Sequence, residues 1–253
     1  MTQNPIHKVL STLFTHRLRA LLMGGQACIL YGAAEFSRDT DIALHATPDN
    51  IELLQTALRD LQARRIALPP FDRIFLEKGH AIHFRCYHAD ALRIRIDVIS
   101  VMRGVDDFDK LWTRRTPFTL PTGETIYLMS LPDLVRSKKT QRDKDWPMIR
   151  RLIEADYVKS KNPESDKVNF WLRESRTPRM LIELAQNFPT ETESLTSTRP
   201  ALIHALEGKE KPLENELESE QREERETDRQ YWEPLFRELE YLRRSGYDTE
   251  EVV

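Results

Sequence analysis

Three acidic residues in two distant segments are the first candidates for chemistry. Asp39 and Asp41 stand at the mouth of an apolar run, TDIALHA, and Asp97 lies inside a second run, LRIRIDVISV, at residues 92–101. Side chains two apart on a strand share a face, so Asp39 and Asp41 would bring their carboxylates together. Like charges so placed repel and raise each other's pKa unless a cation lies between them. Magnesium suits that position, because it prefers carboxylate oxygens and completes its shell with water and substrate phosphates. With Asp97 as a third carboxylate from a neighbouring strand, the set would hold two magnesium ions, an arrangement that activates an attacking oxygen and stabilises a leaving one. Gly24-Gly25, just ahead of a short helix-like stretch, supplies the other half: small residues let backbone amides approach a triphosphate, and a helix N-terminus adds partial positive charge. Either signal alone has an ordinary explanation, a turn for the glycines and a solvated strand end for the aspartates.

The elements that would position these residues follow a mixed α/β order. Asn4-Pro5 opens a helix carrying Ile6, Val9, Leu10, Leu13 and Leu18, and residues 20–23 form a short strand leading into Gly24-Gly25. GQACILYGAA reads as a short helix, TDIALHA as a strand, and Thr47-Pro48 as the start of a helix bearing Ile51, Leu54, Leu58 and Leu61. After the break LPPFD, the alternating runs AIHFRCY and LRIRIDVISV, joined by HADA, predict a hairpin. In it Ile94, Ile96 and Val98 face one way while Arg93, Arg95 and Asp97 face the other, and His83, Arg85 and Tyr87 would line the charged face as well. That wall suits a phosphate-rich partner, though a solvent-facing hairpin explains it equally. The same alternation puts His83 opposite His80 and His88, which argues against a zinc site. A helix-like DDFDKLW, a short hairpin around Thr122-Gly123 and a capping box of Ser130 with Asp133 come next, the last heading the helix LPDLVRSKK. Helical sequence continues to about residue 190. The stretch from about 205 is either a solvated helix or a disordered linker, until YWEPLFRELEYLRR restores aromatics and leucines suited to docking.

Composition narrows the class. The chain has 253 residues, 40% apolar and 31% charged, enough for a sizeable core. No apolar run approaches the ~20 residues that cross a bilayer, and MTQNPIHKVL lacks a secretory pattern, so a cytoplasmic protein without membrane contact is expected. Cys28 and Cys86 are too few for a disulfide framework or a cysteine-ligated zinc site and are expected to be buried small hydrophobes. The formal charge of −3 hides an asymmetry, because residues 205–253 carry 16 Asp and Glu against 8 Lys and Arg, leaving residues 1–204 at +5. A mildly basic body permits a phosphate-bearing partner without requiring one. The acidic tail is open to three readings: a solvated helix, a cover for the basic face, or the dock of a cognate protein partner.

Gly24-Gly25, thirteen intervening residues, Asp39-Thr40-Asp41-Ile42 and the distant Asp97 together resemble the DNA polymerase β-like nucleotidyltransferase superfamily. The closer likeness is to its minimal bacterial members, the AbiEii-type toxin and MNT-like enzymes, which have a GGxA opening and an R-x-T-x-D run. SLPDLVRSKKTQRDKDWPMIRRL is similar to their helical segment of pattern D-L-apolar-x-x-K followed by R-x-K-D. The likeness covers roughly residues 5–156. A second register, matching Ile42 to the isoleucine of R-x-T-x-D-I-D, would put Ala43 where the second aspartate belongs and predicts a crippled site.

The resemblance implies an α/β (α+β) fold: a nucleotidyltransferase domain over 1–156, with a mixed sheet flanked by helices, and a helical, acidic C-terminal region over 157–253. It implies that Asp39 and Asp41 bind both magnesium ions, that Asp97 binds the catalytic one and helps deprotonate the acceptor, and that Gly24, Gly25 and Arg38 hold the NTP triphosphate. Lys138 or Lys139 could reach the phosphates, with a solvated helix face as the competing reading, and Arg142, Lys144 and Asp145 would form a supporting ion-pair network. The reaction would be attack by an acceptor on the α-phosphorus of an NTP, releasing pyrophosphate. The acceptor would be RNA, a tRNA end foremost, or a protein hydroxyl, in a toxin–antitoxin or phage-defence setting. Two alternatives stand beside it: an aminoglycoside-type small-molecule nucleotidyltransferase, and an inactive member acting as a regulatory or antitoxin protein.

Overall fold

A computed structural model of the chain describes residues 5–34, 36–121, 123–247 and the backbone of 251–252. The expected cap Asn4 and the turn residue Thr122 lie outside the described residues. Two compact units emerge, one comprising Met1–Leu30, Ala34–Ser137 and Tyr231–Val253, the other Tyr31–Ala33 and Lys138–Gln230. The boundary expected at 156/157 falls inside a helix of the second unit, Asp145–Lys159, and the last stretch of chain groups with the first unit.

The first unit is α/β. In chain order it contains α1 (Pro5–Thr15), β1 (Ala20–Met23), α2 (Gly24–Leu30), β2 (Asp39–Leu44), α3 (Pro48–Asp60), β3 (Arg64–Arg65), α4 (Arg73–Lys78), β4 (Ile82–Arg85), β5 (Arg95–Ile99), α5 (Phe108–Thr113), β6 (Thr116–Thr119), β7 (Thr125–Leu128) and α6 (Leu131–Ser137). The strands form one mixed sheet in the order β6-β7-β1-β2-β5-β4-β3, extended at its β3 edge by β8 (Glu251–Val252). β2 runs antiparallel to β1 and parallel to β5, and β5 runs antiparallel to β4, closing the predicted hairpin through a 3₁₀ turn at Ala89–Ala91. Alternation decides the two faces. Ile42, Leu44, Ile96, Val98, Ile82 and Phe84 are fully buried on one of them, and α1, which presents Val9, Leu10 and Leu13, packs against β2 and β7 there. Burying six such side chains contributes on the order of 10 kcal/mol before conformational entropy is subtracted.

Caps end the helices where the sequence has the right residues. Asp72 accepts from the Ile74 amide at the start of α4, and Gly79, with φ of 98°, ends it. The break LPPFD is thus followed by a helix that the sequence reading did not contain. One half of the predicted capping box forms, the Asp133 amide donating to Ser130 Oγ (3.3 Å), while in place of the other half Ser130 Oγ donates to Asp133 Oδ2 (2.6 Å).

The second unit is helical, with α7 (Asp145–Lys159), α8 (Ser165–Glu174), α9 (Pro178–Asn187), α10 (Pro189–Leu195) and α11 (Ala201–Leu206) around Trp171, Leu172, Leu181, Leu184 and Leu202. Buried Arg199 ties it together, donating to the carbonyls of Leu172 (2.6 Å) and Ser175 (2.9 Å) and to Glu220. The final helix, α12, runs 35 residues from Glu210 to Arg244, so the tail is a helix and not a linker. Residues with good helix propensity and pairs such as Glu226 with Arg229 and Glu233 with Arg237 sustain it. Among the described residues no helix is long and apolar enough to cross a membrane.

Candidate active site

The predicted acidic residues meet on the face of the sheet opposite the apolar row. Asp41 on β2 pairs in register with Asp97 on β5, and Asp97 in turn pairs with His83 on β4. One pleat along, Asp39 pairs with Arg95 and Arg95 with Arg85. Two rows result, Asp41-Asp97-His83 and Asp39-Arg95-Arg85, with all six side chains on one face. Thr40, between the aspartates, points the other way and is fully buried. Ala43, the second position of the alternative register, is also fully buried, beside Ile99.

Asp41 and Asp97 sit side by side on adjacent strands, so their like charges repel. Arg95 and His83 oppose that repulsion. Arg95 Nε donates to Asp97 Oδ1 at 2.7 Å, His83 Nδ1 lies 2.8 Å from the same oxygen, and Arg95 Nη2 lies 2.9 Å from His83 Nδ1. Burial pushes the Asp97 carboxyl up, but the hydrogen bonds and charges of His83 and Arg95 outweigh it and hold the group below the usual carboxylate range. Nδ1 of His83 can donate to Asp97 or accept from Arg95, not both.

The glycine pair is built against this face. Gly24 begins α2 directly after β1, with φ of 62°, and a Cβ there would lie 1.9 Å from Asp41 Oδ2. A Cβ on Gly25 would lie 2.4 Å from Ser37 Oγ. Gln26 Nε2 donates to the Ser37 carbonyl at 2.9 Å, which fixes the loop before β2 against α2. In that loop the Arg38 guanidinium sits 5.5 Å from the ring centroid of Phe36, a residue that is 71% exposed.

The two lysines have other partners. Lys138 pairs with Asp145 (3.5 Å), and Lys139 pairs with Glu174 (2.8 Å) and Glu224 (3.5 Å), all within the second unit. α6 ends at Ser137, so neither lysine belongs to it. Asp145 also receives Thr140 Oγ1 (2.7 Å) and lies 4.0 Å from Arg142, so Arg142 and Asp145 of the expected network come together, with Lys138 in the place expected of Lys144. The three histidines go separate ways: His80 to Glu238, His83 to Asp97, and His88 to the Asp90 amide.

The donor chemistry fits a hard cation, because Asp39, Asp41 and Asp97 offer only carboxylate oxygens on one face, with a glycine backbone close to one of them. Among the described residues no three His, Cys, Asp or Glu side chains already converge as a metal cage. Two features escaped the sequence reading. The packing of Gly24 on Asp41 needs the strand register, and the spacing of two between Arg95 and Asp97 implies a shared face but not the ion pair they form.

No protein-family model matches the chain, and no curated protein matches it.

Proposed function

We propose that the chain is a metal-dependent nucleotidyltransferase that moves a nucleoside monophosphate from an NTP to an acceptor hydroxyl, of RNA, a tRNA end foremost, or of a protein. The observation that carries this reading is the register of Asp41 with Asp97 on adjacent parallel strands, Asp39 on the same face and Gly24 closed against Asp41. It accords with the resemblance drawn from Gly24-Gly25, Asp39, Asp41 and Asp97, and the burial of Ala43 favours the register that keeps both aspartates.

In this reading Asp39, Asp41 and Asp97 hold two magnesium ions, which when bound neutralise the triphosphate and acidify the acceptor hydroxyl. Gly24, Gly25 and Arg38 receive the phosphates. The acceptor hydroxyl would lose its proton to water, its oxygen would bond to the α-phosphorus as the bond to the α–β bridging oxygen breaks, and pyrophosphate would leave. The protein's contribution is positioning and charge. A carboxylate held below its usual range is a weak proton acceptor, so Asp97 serves better as a ligand than as the base. Lys138 and Lys139, already paired with carboxylates, act as structural cations in this reading.

Arg85, Arg95 and His83 flank the acidic rows and favour an anionic acceptor over a cationic small molecule of the aminoglycoside kind. A toxin or phage-defence role follows the resemblance alone. The second reading, an inactive regulatory or antitoxin protein, draws on the engagement of Asp97 by Arg95 and His83 and on the lack of a closed donor cage among the described residues. Incubation with each α-labelled NTP, magnesium and total RNA, beside an Asp39→Ala/Asp41→Ala control, separates them. Aspartate-dependent label on RNA or on protein supports transfer and identifies the acceptor class; no label on either leaves the small-molecule and regulatory readings.

A further inference from the structure

We infer that Arg95 is an exchangeable counter-ion of the acidic face: without ligand it neutralises Asp97, and an arriving divalent cation displaces it and frees it to bind substrate phosphate. This rests on the nucleotidyltransferase reading and assigns Arg95 a role there, as a positioning residue that couples cation binding to phosphate binding.

Two kinds of arginine in the molecule show the contrast. Arg199 is buried and held by two backbone carbonyls as well as Glu220, so its release would strand several polar groups. Arg95 leaves 38% of its side chain exposed, and no hydrogen bond to a backbone carbonyl is described for it. With that share of its side chain already in water, the guanidinium can be rehydrated when it leaves the more buried Asp97. The triangle it joins is also over-subscribed. His83 Nδ1 cannot both accept from Arg95 and donate to Asp97, so at most two of the three contacts are hydrogen bonds at once. Asp97 therefore keeps His83 as a partner when Arg95 leaves.

Position gives the freed guanidinium a destination. The Cα of Arg95 lies between those of Asp39 and Arg85 in the neighbouring row, on the face that carries Asp41 and Asp97. An NTP delivered to those carboxylates brings oxyanions within reach of a planar, always charged donor that suits phosphate. The site thereby exchanges a monovalent internal cation for a divalent one and turns the displaced charge toward the substrate.

Manganese is the probe for the cation, read by electron paramagnetic resonance on the full chain without nucleotide. Asp41→Asn should abolish binding, Arg95→Gln should bind Mn²⁺ at least fivefold more tightly than wild type, and Arg95→Lys should stay near wild type. With Mn²⁺ bound, tripolyphosphate should bind Arg95→Gln about tenfold more weakly, the loss expected of one charge-assisted hydrogen bond. Without any substitution, magnesium should shift one arginine Nε–H resonance toward the solvated position in ¹⁵N spectra. If wild type binds Mn²⁺ through Asp41 but Arg95→Gln binds no more tightly and the arginine spectrum does not change, the exchange is wrong and the nucleotidyltransferase reading survives. If neither protein binds Mn²⁺, both fall.

Discussion

Gly24→Ala tests whether the glycine pair serves the acidic face or merely turns the chain. The substitution meets two independent obstacles. Its backbone holds φ of 62°, which costs a residue with a Cβ about 1–2 kcal/mol. The new methyl would also lie 1.9, 2.4 and 2.7 Å from Oδ2, Cγ and Cβ of Asp41. Rotating the Asp41 side chain clears the first two contacts but not the third, because Cβ is fixed to a strand paired with Met23. Overpacking of this kind costs about 1–3 kcal/mol, giving a total of about 2–5 kcal/mol. At roughly 2–4 °C per kcal/mol, the thermal midpoint should fall by about 5–15 °C, with Mn²⁺ binding lost alongside. A double-mutant cycle with Asp41→Gly separates the causes: it removes the steric term and leaves the backbone term, so the pair should couple favourably by about 1–3 kcal/mol. Additive effects, or a Gly24→Ala protein with wild-type stability and metal binding, would refute the close approach on which the phosphate cradle rests.

Asp97→Asn should lower stability at neutral pH by about 1 kcal/mol. The sign follows from the depressed carboxyl: its contribution is complete above the unfolded value near 4 and disappears as pH falls through the lower folded value, so wild type and variant should converge in acid unfolding curves. Lys139→Ala strips a buried partner from Glu174 and should cost about 2–3 kcal/mol in denaturant melts while leaving NTP affinity unchanged; the opposite pattern would make Lys139 a phosphate ligand. Glu238 receives Lys78 and His80, so Glu238→Gln should loosen the end of α12, seen as lower amide-exchange protection over residues 231–244 with the sheet unaffected.

What the sequence made legible follows its local periodicity. The alternation of Ile94, Ile96 and Val98 with Arg95 and Asp97 is visible in any window of eight residues, and so is the capping box at Ser130. The three carboxylates share a face because that same period governs β2 and β5. Partner choice was not legible. Lys138 and Lys139 resemble a helical phosphate-reaching pair until α6 stops at Ser137 and Asp145, Glu174 and Glu224 come into reach, the last two at sequence separations of 35 and 85. The helix of α12 is ambiguous in sequence because a highly charged segment of good helix formers reads alike whether folded or solvated, and the burial of Leu213, Leu217, Leu235 and Leu242 decides it. α4 carried its own signals, Asp72 and Gly79, hidden by the proline pair before them.

Thr40 sits fully buried in the apolar row, and its hydroxyl finds no hydrogen-bond partner among the described residues. An orphaned oxygen of this sort costs about 1–3 kcal/mol, carried by the one side chain between Asp39 and Asp41. Thr40→Val should melt a few degrees higher by calorimetry. The strand bearing the acidic pair thus gives up stability at the very position that separates its two carboxylates.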